Sequence, residues 1–528
     1  MKLTFRSFLA LVTASGALAS GAAFSAEPAE TTSHPPYFNF KARQFLIEGS
    51  HAIAPLAPIP VGRTRQLMLD RHVIDDAWGC ERTVHPAEKH PRNPVLAGRP
   101  QFGAVHFGSS FLFDPDRGRY RLWACSWNTA RPEHQLGLFH AYYESPDGLT
   151  WEAPKLGLVD YDGSRAHNVL QAAPGVEYHS ASVQPVPPRL QTRGRYVMLY
   201  SFVHEPPPPG TTHGMEQRIA WSDDGLRWRD QPENPVFRGR SDTFNNILYN
   251  PDRDVFMLYR RPSVNANQIR RVAYSESRDL IQWTQPQTIL FPDESDPATM
   301  FYSHVVVRYQ GMYLGFLQNF YLYADDPNRG GLRDGPKSHQ LDLELAWSRD
   351  GRRWERHPRH PVFLATGLPG SHDAGMVYLH QGLHEADGRV WLLYSGHEAR
   401  HVTAHVKQGR GSSLCLASVR QDGFVSLDAR RDGYVLTKPL RIAGRRLHLN
   451  AQTEPGGFIR VAVRRGDGVN DGDWIEGWNF DDGGRFTGDS LDAVLEWKGG
   501  DSLEALQDRA PRLHFWLHRA RLYSFWFE

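Results

Sequence analysis

Four segments of this chain repeat one short pattern: a strand ending in Ser, a polar turn, then a tryptophan. They are Ser145-Pro-Asp-Gly-Leu-Thr-Trp151, Ser222-Asp-Asp-Gly-Leu-Arg-Trp228, Ser277-Arg-Asp-Leu-Ile-Gln-Trp283 and Ser348-Arg-Asp-Gly-Arg-Arg-Trp354, with a weaker copy at Arg420-Gln-Asp-Gly-Phe424. The Asp-Gly pairs supply a turn that tolerates positive φ, and the Trp is placed to cover the turn and seal one sheet against the next. A second element alternates with the first, seen in Arg119-Tyr-Arg-Leu-Trp123, Tyr196-Val-Met-Leu-Tyr200 and Val390-Trp-Leu-Leu-Tyr394. Its alternation and its aromatic, β-branched content are those of strands. The combined unit recurs about every 55 to 75 residues, long enough for one propeller blade with loops on one face. The expected fold is all-β: a five-bladed β-propeller followed by a β-sandwich.

The expected divisions are a signal peptide at 1–26, an extended Pro-rich segment at 27–60, the propeller at 61–439 and the sandwich at 440–528. Lys2 and Arg6 precede an apolar, small-residue run to Phe24, which reads as a secretory leader and predicts a secreted or periplasmic protein. Gln66–Asp70 and His72–Ile74 are expected strands that complete the ring. From Leu440 the texture changes to short alternating strands such as Phe458–Val463 and Leu513–His518, as in a sandwich. Lysine and arginine number 60 against 59 acidic residues, so no concentrated basic field argues for nucleic acid as a partner. No stretch after the leader is apolar enough to span a membrane. Three cysteines exclude a disulfide-rich scaffold and a four-cysteine zinc knot. A Gly-rich phosphate loop, a His-Glu-x-x-His zinc motif and a Gly-x-Ser-x-Gly elbow are all absent.

In a propeller, the first strand of each blade lines the axis, and its first residues face the channel mouth. At that register the chain places His106, His179, Asp242, His304 and the pair His372-Asp373. Burying so many titratable groups without a use is costly. Glycoside cleavage needs two carboxylates flanking the bond, and the expected catalytic carboxylates are Asp70, Asp242, Asp373 and Glu216. His106, His179, Asn245, Arg260, Tyr302, His304, His372 and Glu398 are the expected substrate contacts. His106, His179 and His304 also form a candidate site for a divalent metal ion at the axis, although the hydrolytic chemistry requires no cofactor.

The Gln66-Leu-Met-Leu-Asp70 opening, His85-Pro-Ala-Glu-Lys-His-Pro-Arg-Asn-Pro94, the Ser222–Trp228 box and the terminal Leu522-Tyr-Ser-Phe525 together resemble the five-bladed glycoside hydrolases of families 32, 43 and 117. Many of those carry a C-terminal β-sandwich. The resemblance implies a secreted hydrolase acting on oligosaccharides or polysaccharides, with Asp70 as the early Asp and Asp242 as the mid-propeller Asp. No Glu matches the third member of that set. The alternatives are a metal- or histidine-assisted polysaccharide lyase and a non-catalytic glycan-binding propeller.

Overall fold

The computed structural model describes residues 57–97, 107–127, 137–173, 175–204, 214–239, 241–262, 270–297, 299–321, 339–401, 412–466 and 474–528. The expected leader, most of the extended segment and His106 lie outside them. Among the described residues the regular structure is strand, apart from two short 3-10 turns. No helix there is long and apolar enough to cross a membrane. Cys80, Cys125 and Cys415 are free thiols.

The repeats fold into five antiparallel groups. Sheet I runs Ser110–Asp114, Arg119–Trp127, Leu138–Ser145, Val169–Gln171, and sheet II runs Val176–Pro185, Tyr196–His204, Met215–Ser222, Arg229–Asp230. Sheet III is Asn246–Asn250, Val255–Arg260, Val272–Ser277, Gln287–Leu290. Sheet IV is Thr299–Tyr309, Met312–Tyr321, Leu341–Ser348, edged by Glu355–Arg356 and Val362–Leu364. Sheet V is Met376–Leu379, Arg389–His397, Ser413–Arg420, and a single parallel bridge, Leu341 to Met376, joins it to sheet IV.

The Ser/Asp box explains why the third strands of sheets I to IV stop where they do. Gly148, Gly225, Leu280 and Gly351 each donate a backbone N–H to the Ser hydroxyl three residues earlier, at 2.8 to 2.9 Å. The box Asp then accepts two further N–H groups, as Asp224 does from Leu226 and Arg227 at 2.8 Å each. The three glycines sit at φ +73°, and Leu280 takes the same left-handed place at +63°. Trp151 and Trp354 close their turns by donating to the carbonyls of Gly148 and Gly351.

The first strands of the five sheets are tied in order around a loop of hydrogen bonds. Ala181 donates to the Gly108 carbonyl, Ile247 to the Ser182 hydroxyl and Val306 to the Asn246 amide oxygen. Gln381, just after the first strand of sheet V, is fully buried and touches the other four. Its amide oxygen accepts from Ser110 and Ser182, and its amide nitrogen donates to the carbonyls of Ile247 and Val306. We call the end of the first strands nearest Phe107, His179, Asp242, Tyr302 and Asp373 the upper end. The second strands end and the third strands begin at the upper end, and residues 128–136, 205–213, 263–269, 322–338 and 402–411 lie outside the described residues.

Two expectations about the chain ends change. Gln66–Leu67 does not complete the ring; it pairs with the last strand, Gln66 opposite Phe525. Ile74–Trp78 and Glu81–Val84 likewise pair with Val425–Thr437. The C-terminal sheet of eight strands therefore draws on both ends of the chain and begins at Val425, before the Leu440 change of texture. The free edge of sheet V is taken instead by Glu88–Lys89, opposite Ser418 and Ala417.

This edge strand carries its own latch. The Lys89 ammonium lies 2.6 Å from Asp373, whose carboxylate also accepts from Tyr394 at 3.0 Å and Ser371 at 2.9 Å. Burial alone would raise the Asp373 carboxyl; the Lys89 hydrogen bond and charge hold it below the ordinary value. Lys89→Met is expected to cost about 2–3 kcal/mol at pH 7, since it leaves a buried carboxylate without its cation. A depressed carboxyl stabilises the fold above its unfolded pKa of about 3.9 and loses that contribution as pH falls through the folded value. The gap between wild type and variant in urea unfolding should therefore close below about pH 4.

Candidate functional site

Asp242 sits in the segment that leads into sheet III, and the side chain of Asn245 shapes that segment. Asn245 donates to the Ser241 carbonyl at 2.9 Å and to the Ser201 hydroxyl at 3.0 Å, and its oxygen lies 2.6 Å from the Ser241 hydroxyl. Fully engaged in this way, Asn245 positions Asp242 instead of meeting a ligand. Thr243 ties the same segment to sheet IV by donating to the Tyr302 carbonyl at 2.5 Å. The Asp242 carboxylate is 32% exposed and lies 4.0 Å from the buried Arg261 guanidinium. Arg261 donates to the Tyr302 carbonyl at 3.2 Å and stacks 5.0 Å over the Tyr302 ring.

A one-residue bulge between Phe301 and His304 decides which side chains of sheet IV face this place. An extra residue in a strand re-aims the side chains beyond it. Tyr302 joins the Asp242 group, whereas His304 turns into the contact between sheets III and IV. There it is buried 4.3 Å from the Trp354 ring, beside Tyr259 and against Gly315. Burial depresses its imidazole to about 3.

Around Tyr302 the upper end is aromatic and basic. Tyr378 lies 5.6 Å away, ring to ring, and His401 5.3 Å. The Arg270 guanidinium stands 5.5 Å over Tyr302 and 4.5 Å over Phe320. His397 packs 5.3 Å from Tyr378. Burial raises the Tyr302 phenol, with the Asp242 charge adding to it and the two guanidiniums opposing; Tyr378 is raised well above the usual range, again chiefly by burial. Both phenols keep their protons at neutral pH.

Phe107 links this group to a second one, 5.9 Å from Tyr378 and 5.8 Å from His179. Glu177 and His179 are both buried, with Oε2 and Nε2 3.5 Å apart. A bulge between His179 and Ser182, with Ser180 at φ +59°, sets where this first strand turns. His179, Ser201 and Gln217 stand in one cross-strand row. Glu177 Oε2, both His179 ring nitrogens and both Gln217 amide atoms are buried without a hydrogen-bond partner. Native interiors leave few such atoms unpaired.

The other expected residues fall elsewhere. Asp70 is held by Arg349, at 2.6 and 3.0 Å, in the turn after Leu341–Ser348, at the far end of that strand from the Tyr302 group. Glu216 is ion-paired with Arg238 and with Arg218 at 3.2 Å. Asp373 belongs to the Lys89 latch, and His372 lies 3.9 Å from it. Arg260 is buried, stacked 4.4 Å over Phe237, and burial lowers it to about 10. Glu398 is exposed. The structure thus brings together Asp242, Tyr302 and His179, and adds Glu177, Arg261, Arg270, Tyr378, His397 and His401. Glu177 had a sequence signal, two residues before His179 on the same strand face; the others depend on packing between sheets.

The imidazole trio expected to hold a metal ion is not assembled, since His304 is committed to the sheet III–IV core. Among the described residues, Asp293, Asp296 and His360 form the one set of metal-ligand-type groups whose atoms lie within 4.8 Å of one another. Arg356 already supplies positive charge there, 2.8 Å from Asp296 and 2.8 Å from Glu344. His360 also lies 2.9 Å from Glu344.

No family model matches the chain, and no curated protein does. Among solved structures it is similar to an N-acetylgalactosamine deacetylase from F. plautii determined with blood group B trisaccharide, at 17% identity over 66% of this chain and 97% of that one, TM-score 0.45. It is similar to a glycosyl hydrolase from Bacteroides ovatus at 11% identity over 63% of this chain and 94% of that one, TM-score 0.40. A protein of the GH130 family of mannoside phosphorylases, a family containing hydrolases of β-1,2-mannosidic linkages, gives 11% identity over 63% and 94%, TM-score 0.40. The likeness is distant and spread over carbohydrate-active proteins of several kinds, not confined to families 32, 43 and 117.

Proposed function

We propose that the five sheets are the blades of a five-bladed propeller closed by Glu88–Lys89 and Gln381, and that the upper end of its axis is the active site of a glycoside hydrolase. On this reading the propeller spans roughly 85–424. The supporting sandwich joins 57–84 to 425–528. The observation that carries the reading is the partly exposed Asp242 carboxylate beside Arg261 and Tyr302, joined through Tyr378 and Phe107 to the buried Glu177–His179 pair. Glycoside cleavage requires one carboxylate to act as base or nucleophile and another acid to protonate the leaving oxygen. Asp242 takes the first role. Glu177, in contact with His179, takes the second.

The test is product release from a panel of plant and algal oligosaccharides, scored by new reducing ends. Hydrolysis of at least one member, lost in Glu177→Gln, supports the proposal. A product carrying a conjugated double bond would replace hydrolysis with elimination. Tight binding of a glycan with no product over days would make the mouth a binding site alone.

A further inference from the structure

Among the described residues, the carboxylates at the upper end have other neighbours than Arg270. Asp242 faces Arg261 at 4.0 Å, Glu177 faces His179 at 3.5 Å and Asp373 faces Lys89 at 2.6 Å. Asp342 accepts the Tyr321 hydroxyl at 3.0 and 2.9 Å. Among the described residues there, Arg270 is a cation with no carboxylate opposite it. Its guanidinium stands over the Tyr302 and Phe320 rings, and its Nε and Nη1 are buried without a hydrogen-bond partner. No carboxylate among the described residues lies within ion-pair distance of it.

A guanidinium does not shed its proton when it is buried, so its charge has to be met. Aromatic faces meet part of it. They leave the planar N–H fork unused, and that fork fits a carboxylate or a sulfate with two parallel hydrogen bonds. His397 and His401 line the same wall. Arg261 and Arg270 both stand over one tyrosine ring, so an anion on Arg270 lies within one disaccharide's reach of Asp242.

We propose that the substrate is an acidic glycan, a uronate or a sulfated sugar, whose anionic group seats on Arg270 in the unit next to the one Asp242 attacks. This rests on the carbohydrate reading above and adds the charge of the ligand to it. Neutral glycans of the same linkage leave the guanidinium unmatched and bind more weakly.

Titration calorimetry on the full chain tests it with two matched pairs: an oligogalacturonide against its carboxyl-reduced form, and a sulfated galactan tetrasaccharide against its desulfated form. The expected result is that one acidic probe binds about 30-fold or more tighter than its neutral partner, as expected when one member of a desolvated charge pair is removed. Which pair shows the difference identifies the anion. Raising the salt should weaken that probe and leave the neutral one unchanged. Arg270→Gln should bring the acidic probe down to the neutral level, and Arg270→Lys should keep part of the preference through its point charge. Equal affinity within both pairs would overturn the inference and leave the carbohydrate reading standing. Failure of all four probes, and of the wider neutral panel, to bind would overturn both. If Arg270→Gln does not fold, the matched probes on wild type still decide.

Discussion

Asp242→Asn is expected to lower kcat/KM on the preferred glycan by about 10²- to 10⁴-fold, the range that a positioned acid or base contributes, with no measurable change in thermal midpoint. The structural half of this expectation comes from what holds the segment in place. Asn245, Ser241 and Thr243 shape it through hydrogen bonds that do not involve the Asp242 carboxylate. Arg261 is anchored separately on the Tyr302 carbonyl. The amide is isosteric and stays about a third exposed, so little folding energy is at stake. Asn245→Ala is the control. It should reduce activity and stability together, by about 2–4 kcal/mol, because Asn245 is fully buried and its loss strands the Ser241 carbonyl and the Ser201 hydroxyl. Unchanged turnover in Asp242→Asn would remove Asp242 from the chemistry. A large drop in midpoint would mean that its carboxylate holds the fold.

The repeat was the most legible part of the chain because its chemistry is local. A Ser hydroxyl, an Asp carboxylate and a residue with positive φ satisfy a turn within seven residues, and Asp224 shows the strength of that arrangement: its accepted N–H bonds outweigh its burial and bring its carboxyl down to about 2. The box could therefore announce four of the five sheets, the fifth having only the weaker copy at Arg420–Phe424. Side-chain direction at the upper end was less legible. The bulges at His179/Ser182 and Phe301/His304 insert single residues that reverse which face each later side chain takes, and no local motif marks them. His304 was expected at the axis and lies in the core for that reason. Charge pairing was hidden as well. Asp70 meets Arg349 across 279 positions and Asp373 meets Lys89 across 284, so a run of carboxylates at similar register gave no sign of which were already neutralised. Arg270 became conspicuous only once those partners were known. The fate of the N-terminal strands depends on a competition for edges: Glu88–Lys89 takes the open side of sheet V, and Gln66–Val84 pairs with the C-terminal sheet.

Gln381→Leu is expected to be the most damaging single change to stability, at about 3–5 kcal/mol in urea unfolding. The side chain reaches four sheets other than its own, through Ser110, Ser182, Ile247 and Val306. Leucine has similar bulk and adds apolar surface, so the loss is one of hydrogen bonding rather than of packing. Each buried polar group left unpaired costs about 1–3 kcal/mol, and the two serine hydroxyls recover some of this by turning to neighbouring carbonyls. Ile247 and Val306 have no such freedom, because their carbonyls belong to the backbone. Gln381→Glu separates the two halves of the arrangement. Its carboxylate keeps the acceptor side for Ser110 and Ser182 but sets a second oxygen against the Ile247 and Val306 carbonyls. At pH 7 it should be at least as unstable as the leucine variant. The buried carboxyl is expected to have a raised pKa, and a group raised in the fold favours folding as it takes up its proton. Stability should therefore recover as pH falls from 7 toward 5, whereas Gln381→Leu shows no such recovery. A cost near 1 kcal/mol for the leucine change, with no pH dependence in the glutamate variant, would mean that this amide does not join the five first strands. The proposed ring, and the shared upper end on which the proposed site depends, would lose their main physical support.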